Sequence, residues 1–418
     1  MAVRLLYGIQ AAALRERCLR EVFDWTGLWP DKRAIIIVPE QAKLDFEQAY
    51  LNQSGQAGLL MAEILSFRRL ATRLSGEVGR TAGNMLQASG QAMVLYRLLQ
   101  DHRSQLKAFA NLADKPGFIR QIAAVLGDLK RCGIDAQTLS GLQEQVSDIA
   151  LQHKVSDLAT LLGEYGRALQ SLGFSDPEDD LDALAVLLSQ PLPLLNDRLE
   201  WLNQTSVWII GFGELRNFTP QEYAVIDQLL RRCEQLTITV MAESLPGDEL
   251  AVENGPDIFL PGRRTASQLI KRYHPAERLL IAPNWHQPNA ELAELLGAPP
   301  ANPAGLTASC TGPDPAGTTP GLISPDSFVR LVLTTAVEDQ TAWLAGEIRR
   351  LVIEEHYRYR DISVAVCNPA DDLPRLQATF TQYKIPLFLD QVRSLSGTAL
   401  LRTILGLLDI AEKGWTRL

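Results

Sequence analysis

Apolar positions along the chain follow two different periods. Val3 to Tyr7 is a short apolar run closed by Gly8, and a helical pattern from about Ala11 to Trp25 follows it. Ala34 to Val38 holds three consecutive isoleucines and reads as a strand buried on both faces. Pro39 cannot donate to a sheet ladder and ends it, leaving Glu40 and Gln41 at its carboxyl end. A helical spacing of Leu44, Ala49 and Leu51 comes next, then a strand-like run from Leu59 to Leu65. Ser66 is placed to cap a helix reaching about Leu74.

From Gln87 to Leu195 strand signals give way to long helical periods, centred on Ala92–Leu99, Phe118–Leu129, Leu158–Leu169 and Leu181–Leu188. At roughly 110 residues this stretch is long enough to form a helical domain inserted into a β/α segment. The strand pattern returns at Ser206–Phe212 and Leu236–Met241, separated by a helix that opens on Thr219-Pro220. Gly247 to Asp326 is the least regular stretch, with Pro and Gly densest from Ala298 to Pro325, and most of its second half reads as a linker or surface excursion. Strands are predicted again at Phe328–Ala336, Ile362–Cys367 and Ile385–Leu389. Helices at Glu338–Glu355, Leu373–Tyr383 and Leu400–Ala411 alternate with them, so a second parallel sheet is expected. A doubly wound sheet needs more strands than this, so the chain is expected to be part of something longer.

In an open α/β sheet, ligands bind at the carboxyl ends of strands, which singles out the Pro39-Glu40-Gln41 corner. An ordinary solvated turn is the competing reading. A strand, a glycine and a helix also make the setting of a phosphate-binding loop at Gly8. Its working end is missing: Ala13, Leu14 and Arg15 stand where the second glycine, the lysine and the hydroxyl are required. The Ser206–Phe212 strand likewise ends without the acidic residue that would hold magnesium.

Composition narrows the choice. Of 418 residues, 46% are hydrophobic and 21% charged, as in ordinary globular domains. No apolar run reaches the roughly 18 residues needed to span a bilayer, so no membrane association is expected. Cys18, Cys132, Cys233, Cys310 and Cys367 are scattered singly and the five histidines show no ligand spacing. Reduced thiols in a cytoplasmic protein follow, with no metal site and no catalytic residue. The net charge of −9 argues against a broad basic face for duplex DNA. A local basic cluster remains at Arg68, Arg69, Arg73 and Arg80. The acidic run Asp176, Glu178, Asp179, Asp180, Asp182 suits the cap and first turn of a helix better than a metal cluster.

Several stretches, in order, resemble the AddB/RexB family of bacterial helicase–nucleases. They are Ile35-Ile-Ile-Val-Pro-Glu-Gln, Leu65-Ser-Phe-Arg-Arg-Leu-Ala, Trp208-Ile-Ile-Gly-Phe-Gly-Glu-Leu-Arg-Asn-Phe-Thr-Pro-Gln-Glu, Tyr357-Arg-Tyr-Arg-Asp-Ile-Ser-Val-Ala-Val and Tyr383-Lys-Ile-Pro-Leu-Phe-Leu-Asp. The resemblance implies an α/β fold like superfamily 1 helicases, with RecA-like, P-loop NTPase-like parallel sheets and an inserted all-helical domain. The corresponding segments are residues 1–85 and 201–290 for the first RecA-like domain, 86–200 for the insertion, 291–325 for a linker and 326–418 for the start of a second RecA-like domain. It also implies resection of double-strand DNA ends beside an AddA-like helicase–nuclease partner. The AddB-type chain then guides single-stranded DNA and, in some members, reads a Chi sequence. ATP and magnesium belong to the complex, and an iron–sulfur cluster belongs to a carboxyl-terminal nuclease domain outside these residues. Gln41, Phe67, Arg69 and Phe212 match strand-end residues that line the family's DNA channel. Gln suits base edges, Phe stacking, and Arg guanine or phosphate. Lys43 and Thr72 sit at further contact positions, and Thr72 lacks the aromatic expected there. Competing expectations are a DNA-stimulated ATPase with a variant nucleotide site, and an interaction scaffold without DNA contact.

Overall fold

The computed structural model describes residues 2–29, 31–55, 58, 61–79, 84–143, 145–191, 198–213, 217–245, 258–283, 332–389 and 395–414. They fall into two compact units, Met1–Leu322 and Ile323–Leu418.

The first unit is built on β1 (Ala2–Gly8), β2 (Ala34–Ile37), β3 (Ala62–Leu65), β6 (Ser206–Gly213), β7 (Gln235–Met241) and β8 (Glu277–Leu280). The six form one sheet in the order β3-β2-β6-β7-β1-β8, and the pairs are parallel. Alternation along β2 explains why both faces must be covered. Ile35 and Ile37 join one buried cluster, with helices α3 (Phe67–Glu77), α8 (Asp180–Ser189), α9 (Pro220–Arg232) and α10 (Leu260–Tyr273). Ala34, Ile36 and Val38 point the other way, into a cluster with α1 (Ala11–Leu28) and α2 (Lys43–Ser54). The run of isoleucines is therefore the centre of a three-layer α/β/α sandwich, with no polar face to spend on solvent.

Two elements of this layer are invisible to the sequence pattern. Both α10 and β8 fall inside the stretch read as irregular. Helix α10 opens on Pro261 and Gly262, which mask its period, yet Ala266, Leu269 and Ile270 are buried. Strand β8 is an edge strand with only four residues, mostly exposed, and is held by its ladder to β1 and by the Arg4–Glu277 ion pair at 2.6 Å.

The helical insertion contains α4 (Ala88–Asp101), α5 (Pro116–Arg131), α6 (Ala136–Gln143) and α7 (Ile149–Leu172), which share a separate buried cluster. Its entry and exit are stitched together by β4 (Asn84–Met85) paired in parallel with β5 (Phe174–Ser175). Inside, the buried Asp157 accepts backbone N–H bonds from Lys107 (3.0 Å), Ala108 (2.8 Å) and Phe109 (3.0 Å). That carboxylate ties the α4–α5 connection to α7. Helix α8 follows the insertion in sequence, but its Leu184, Leu187 and Leu188 pack in the sheet's cluster against α3 and α9.

The second unit contains α11 (Val337–Glu354), α12 (Pro369–Gln382) and α13 (Ala399–Lys413). Ala345, Ile348, Leu376, Phe380 and Ile385 form its small core. The sheet expected here is not formed among the described residues. Residues 332–336, Ile362–Cys367 and Ile385–Leu389 are not in strands. A strand exists only where a neighbour supplies ladder hydrogen bonds, and no such ladder is present here among the described residues. The latter two segments instead line an open apolar pocket of about 720 Å³, with Phe388 89% exposed. Residues 328–331 of the first expected strand, and the whole expected linker 291–325, lie outside the described residues.

Candidate nucleic-acid interface

A pocket of about 470 Å³ opens at the carboxyl ends of β2, β3 and β6. Because the three strands are parallel and adjacent, their ends present three turns side by side: Pro39–Gln41, Ser66–Arg68 and the Phe212 end of β6. Arg131 from α5, Pro177 and Glu178 before α8, and Thr219, Gln221 and Glu222 at the start of α9 close the other side.

Local chemistry fixes each turn. Ser66 caps α3, accepting from the Arg69 backbone N–H at 3.3 Å, and its hydroxyl donates to Glu40. The other Glu40 oxygen accepts from Arg69 Nε at 2.7 Å. Ser66 and Arg69 together hold the Glu40 carboxyl below its ordinary range, so it stays ionised. Thr219 and Glu222 form a reciprocal capping box at the start of α9. The Gln221 amide donates to the Glu178 backbone oxygen (2.9 Å) and to Asp182 (2.8 Å), fixing the turn before α8 to α9. Gly211 has φ +85°, a left-handed conformation open to glycine, and packs beneath Pro39.

The structure brings Gln41, Phe67 and Phe212 to the pocket lining, with Arg69 joined to it through Glu40. The Gln41 side chain is exposed and holds no hydrogen bond among the described residues. Phe67 and Phe212 are 3% and 6% exposed and meet edge to face at 5.2 Å, continuing through Phe218 and Tyr223. They form the pocket's apolar wall and offer a ligand little ring face. Lys43 pairs with Glu47 at 3.1 Å and Thr72 bonds back to the Arg68 carbonyl, so each is engaged on its own helix. Glu40 belongs to the corner that the sequence singled out, whereas Ser66, Glu178, Arg131 and Gln221 were not singled out as pocket residues by sequence. For Glu178 and Arg131 no sequence signal exists, since Arg131 lies within the insertion and Glu178 beyond it, far along the chain from the β2 and β3 turns.

At the other end of the sheet, Gly8 closes β1 and only Ile9 and Gln10 separate it from α1. A phosphate-binding loop needs a longer cradle. Ala13 and Leu14 are buried in the α1 core and the Arg15 guanidinium lies over the Phe46 ring at 5.7 Å. A Cβ on Gly8 would stand only 2.7 Å from the Ile281 carbonyl oxygen. These residues do not fit a nucleotide triphosphate.

The protein-family model described as "ADDB, N-terminal" matches residues 5–292. The chain belongs to this family. Proteins named as the B subunit of an ATP-dependent helicase/deoxyribonuclease are similar along the whole chain. The one from Desulforudis audaxviator is 30% identical over 439 residues, and that from Clostridium acetobutylicum 25% over 425 residues; each comparison covers 100% of this chain. The chain spans 34% of the length of these relatives. Among the described residues no helix is long and apolar enough to cross a membrane.

Proposed function

We propose that this chain is the non-motor, helicase-like part of an AddB-type protein, with a RecA-like sheet that guides single-stranded DNA beside an AddA-like helicase–nuclease partner during resection of double-strand ends. The observation that carries the reading is the pocket at the carboxyl ends of β2, β3 and β6. It gathers an exposed amide (Gln41), an apolar wall (Phe67, Phe212) and three arginines (Arg68, Arg69, Arg131). Amide and guanidinium groups recognise base edges, and apolar walls accept the faces or edges of bases. Membership of the family supports the assignment. The non-motor part rests on the two-residue β1–α1 connection and the buried Ala13 and Leu14.

The test is fluorescence anisotropy of a labelled single-stranded oligonucleotide, titrated with the chain alone and with its co-expressed partner. Binding is expected to weaken with salt, and about fivefold in Gln41→Ala, which removes roughly 1 kcal/mol of polar contact. Failure to bind in either setting refutes the DNA reading and favours an interaction scaffold, in line with the net charge of −9. Magnesium-dependent ATP binding in calorimetry would refute the non-motor part.

A further inference from the structure

The arginines around the pocket are already occupied. Glu178, before α8, accepts from Arg68 of α3 at 2.5 Å on one oxygen and from Arg131 of α5 at 2.9 Å on the other. Glu40, after β2, holds Arg69 at 2.7 Å. Glu222 adds a third carboxylate to the lining. Glu178 and Glu40 together hold all three guanidiniums, with Asp128 also holding Arg131, and Glu222 brings a further negative charge, so the pocket carries no net positive charge.

We propose that Glu40 and Glu178 are specificity determinants of this pocket: by occupying Arg68, Arg69 and Arg131 they turn away backbone phosphate and leave the pocket to a nucleobase. The inference rests on the single-stranded DNA reading and adds which part of the strand enters. A phosphodiester carries one negative charge, the same as either carboxylate. The carboxylates are tethered next to the guanidiniums, so their effective concentration exceeds that of any phosphate arriving from solution. The Glu178 pair spans two elements and is fixed further by Gln221, which grips the Glu178 backbone oxygen. A neutral base displaces neither carboxylate. It needs only hydrogen-bonding edges and an apolar wall, which Gln41, Phe67 and Phe212 supply.

The test compares a labelled oligothymidine with an abasic strand of equal length, each titrated with wild type, Glu178→Gln and Glu40→Gln across a salt series. The wild type is expected to bind the base-bearing strand at least about tenfold more tightly than the abasic one, with a shallow salt dependence. Glu178→Gln frees Arg68, while Arg131 keeps its ion pair with Asp128. It should raise abasic binding and steepen the slope of log affinity against log salt by about 0.7, the value for one phosphate contact. Glu40→Gln frees Arg69 and should steepen it by about the same amount. The variants lie on different turns, so the same trend in both, with circular dichroism unchanged, separates a charge effect from misfolding. A carboxylate that served only to hold elements together would weaken both strands alike and leave the slope unchanged. That result, or equal wild-type affinity for the two strands, overturns the proposal. Absence of wild-type binding to the base-bearing strand, with or without the co-expressed partner, refutes the DNA reading itself.

Discussion

Asp157→Ala is expected to destabilise the helical insertion by about 3–4 kcal/mol. The carboxylate is 2% exposed and accepts three backbone N–H groups at 2.8–3.0 Å. Truncation removes all three acceptor contacts at once. A buried donor left unsatisfied costs roughly 1–3 kcal/mol. The Phe109 bond is fully buried and should cost near the upper figure. The Lys107 and Ala108 bonds are partly buried, so water can reach them and each should cost well under half as much. The conservative variant Asp157→Asn keeps one acceptor oxygen and should lie between wild type and Ala. Urea unfolding followed by far-ultraviolet circular dichroism measures the difference, because the insertion is helical. None of the seven tryptophans lies between residues 86 and 175, so tryptophan fluorescence reports regions outside the insertion, among them the sheet through Trp25 and Trp208. The fluorescence transition should move less than the dichroism transition. A loss below about 1 kcal/mol for Asp157→Ala would refute the argument, since one unsatisfied buried donor alone should exceed it.

Gly8→Ala should loosen the β8 edge, because the new Cβ would stand 2.7 Å from the Ile281 carbonyl oxygen, a backbone atom that cannot rotate away. A cost of about 1–3 kcal/mol is expected, with faster hydrogen exchange at Glu277–Leu280, and unchanged exchange there would refute it. The Asp180 carboxyl has its pKa pushed up to about 6, chiefly by desolvation. With the folded value above the unfolded one, the folded state binds more protons between the two, so this group subtracts stability as pH rises from about 4 to 6. Asp180→Asn should flatten that fall relative to wild type in pH-dependent unfolding, and an unchanged difference curve would count against it.

The elements around β2 were legible because burial on both faces demands a continuous apolar run, and Ala34 to Val38 supplies one. Ser66 and Thr219 announce helix starts by chemistry that needs no distant partner. The Pro39–Gln41 corner was legible as a candidate because Pro39 must end its strand. Only the tertiary structure could set it against Arg131, Glu178 and Gln221, which arrive from segments far along the chain. The same limit explains the misses. Strand β8 is made by its neighbour β1, not by its own four residues, and Ile362–Cys367 and Ile385–Leu389 have strand composition but no ladder among the described residues. A helix or a cap is decided by contacts within a few residues, and sequence determines it. A sheet edge, the occupancy of an arginine or the charge balance of a pocket depends on residues brought together across a hundred positions or more, and the fold alone decides it.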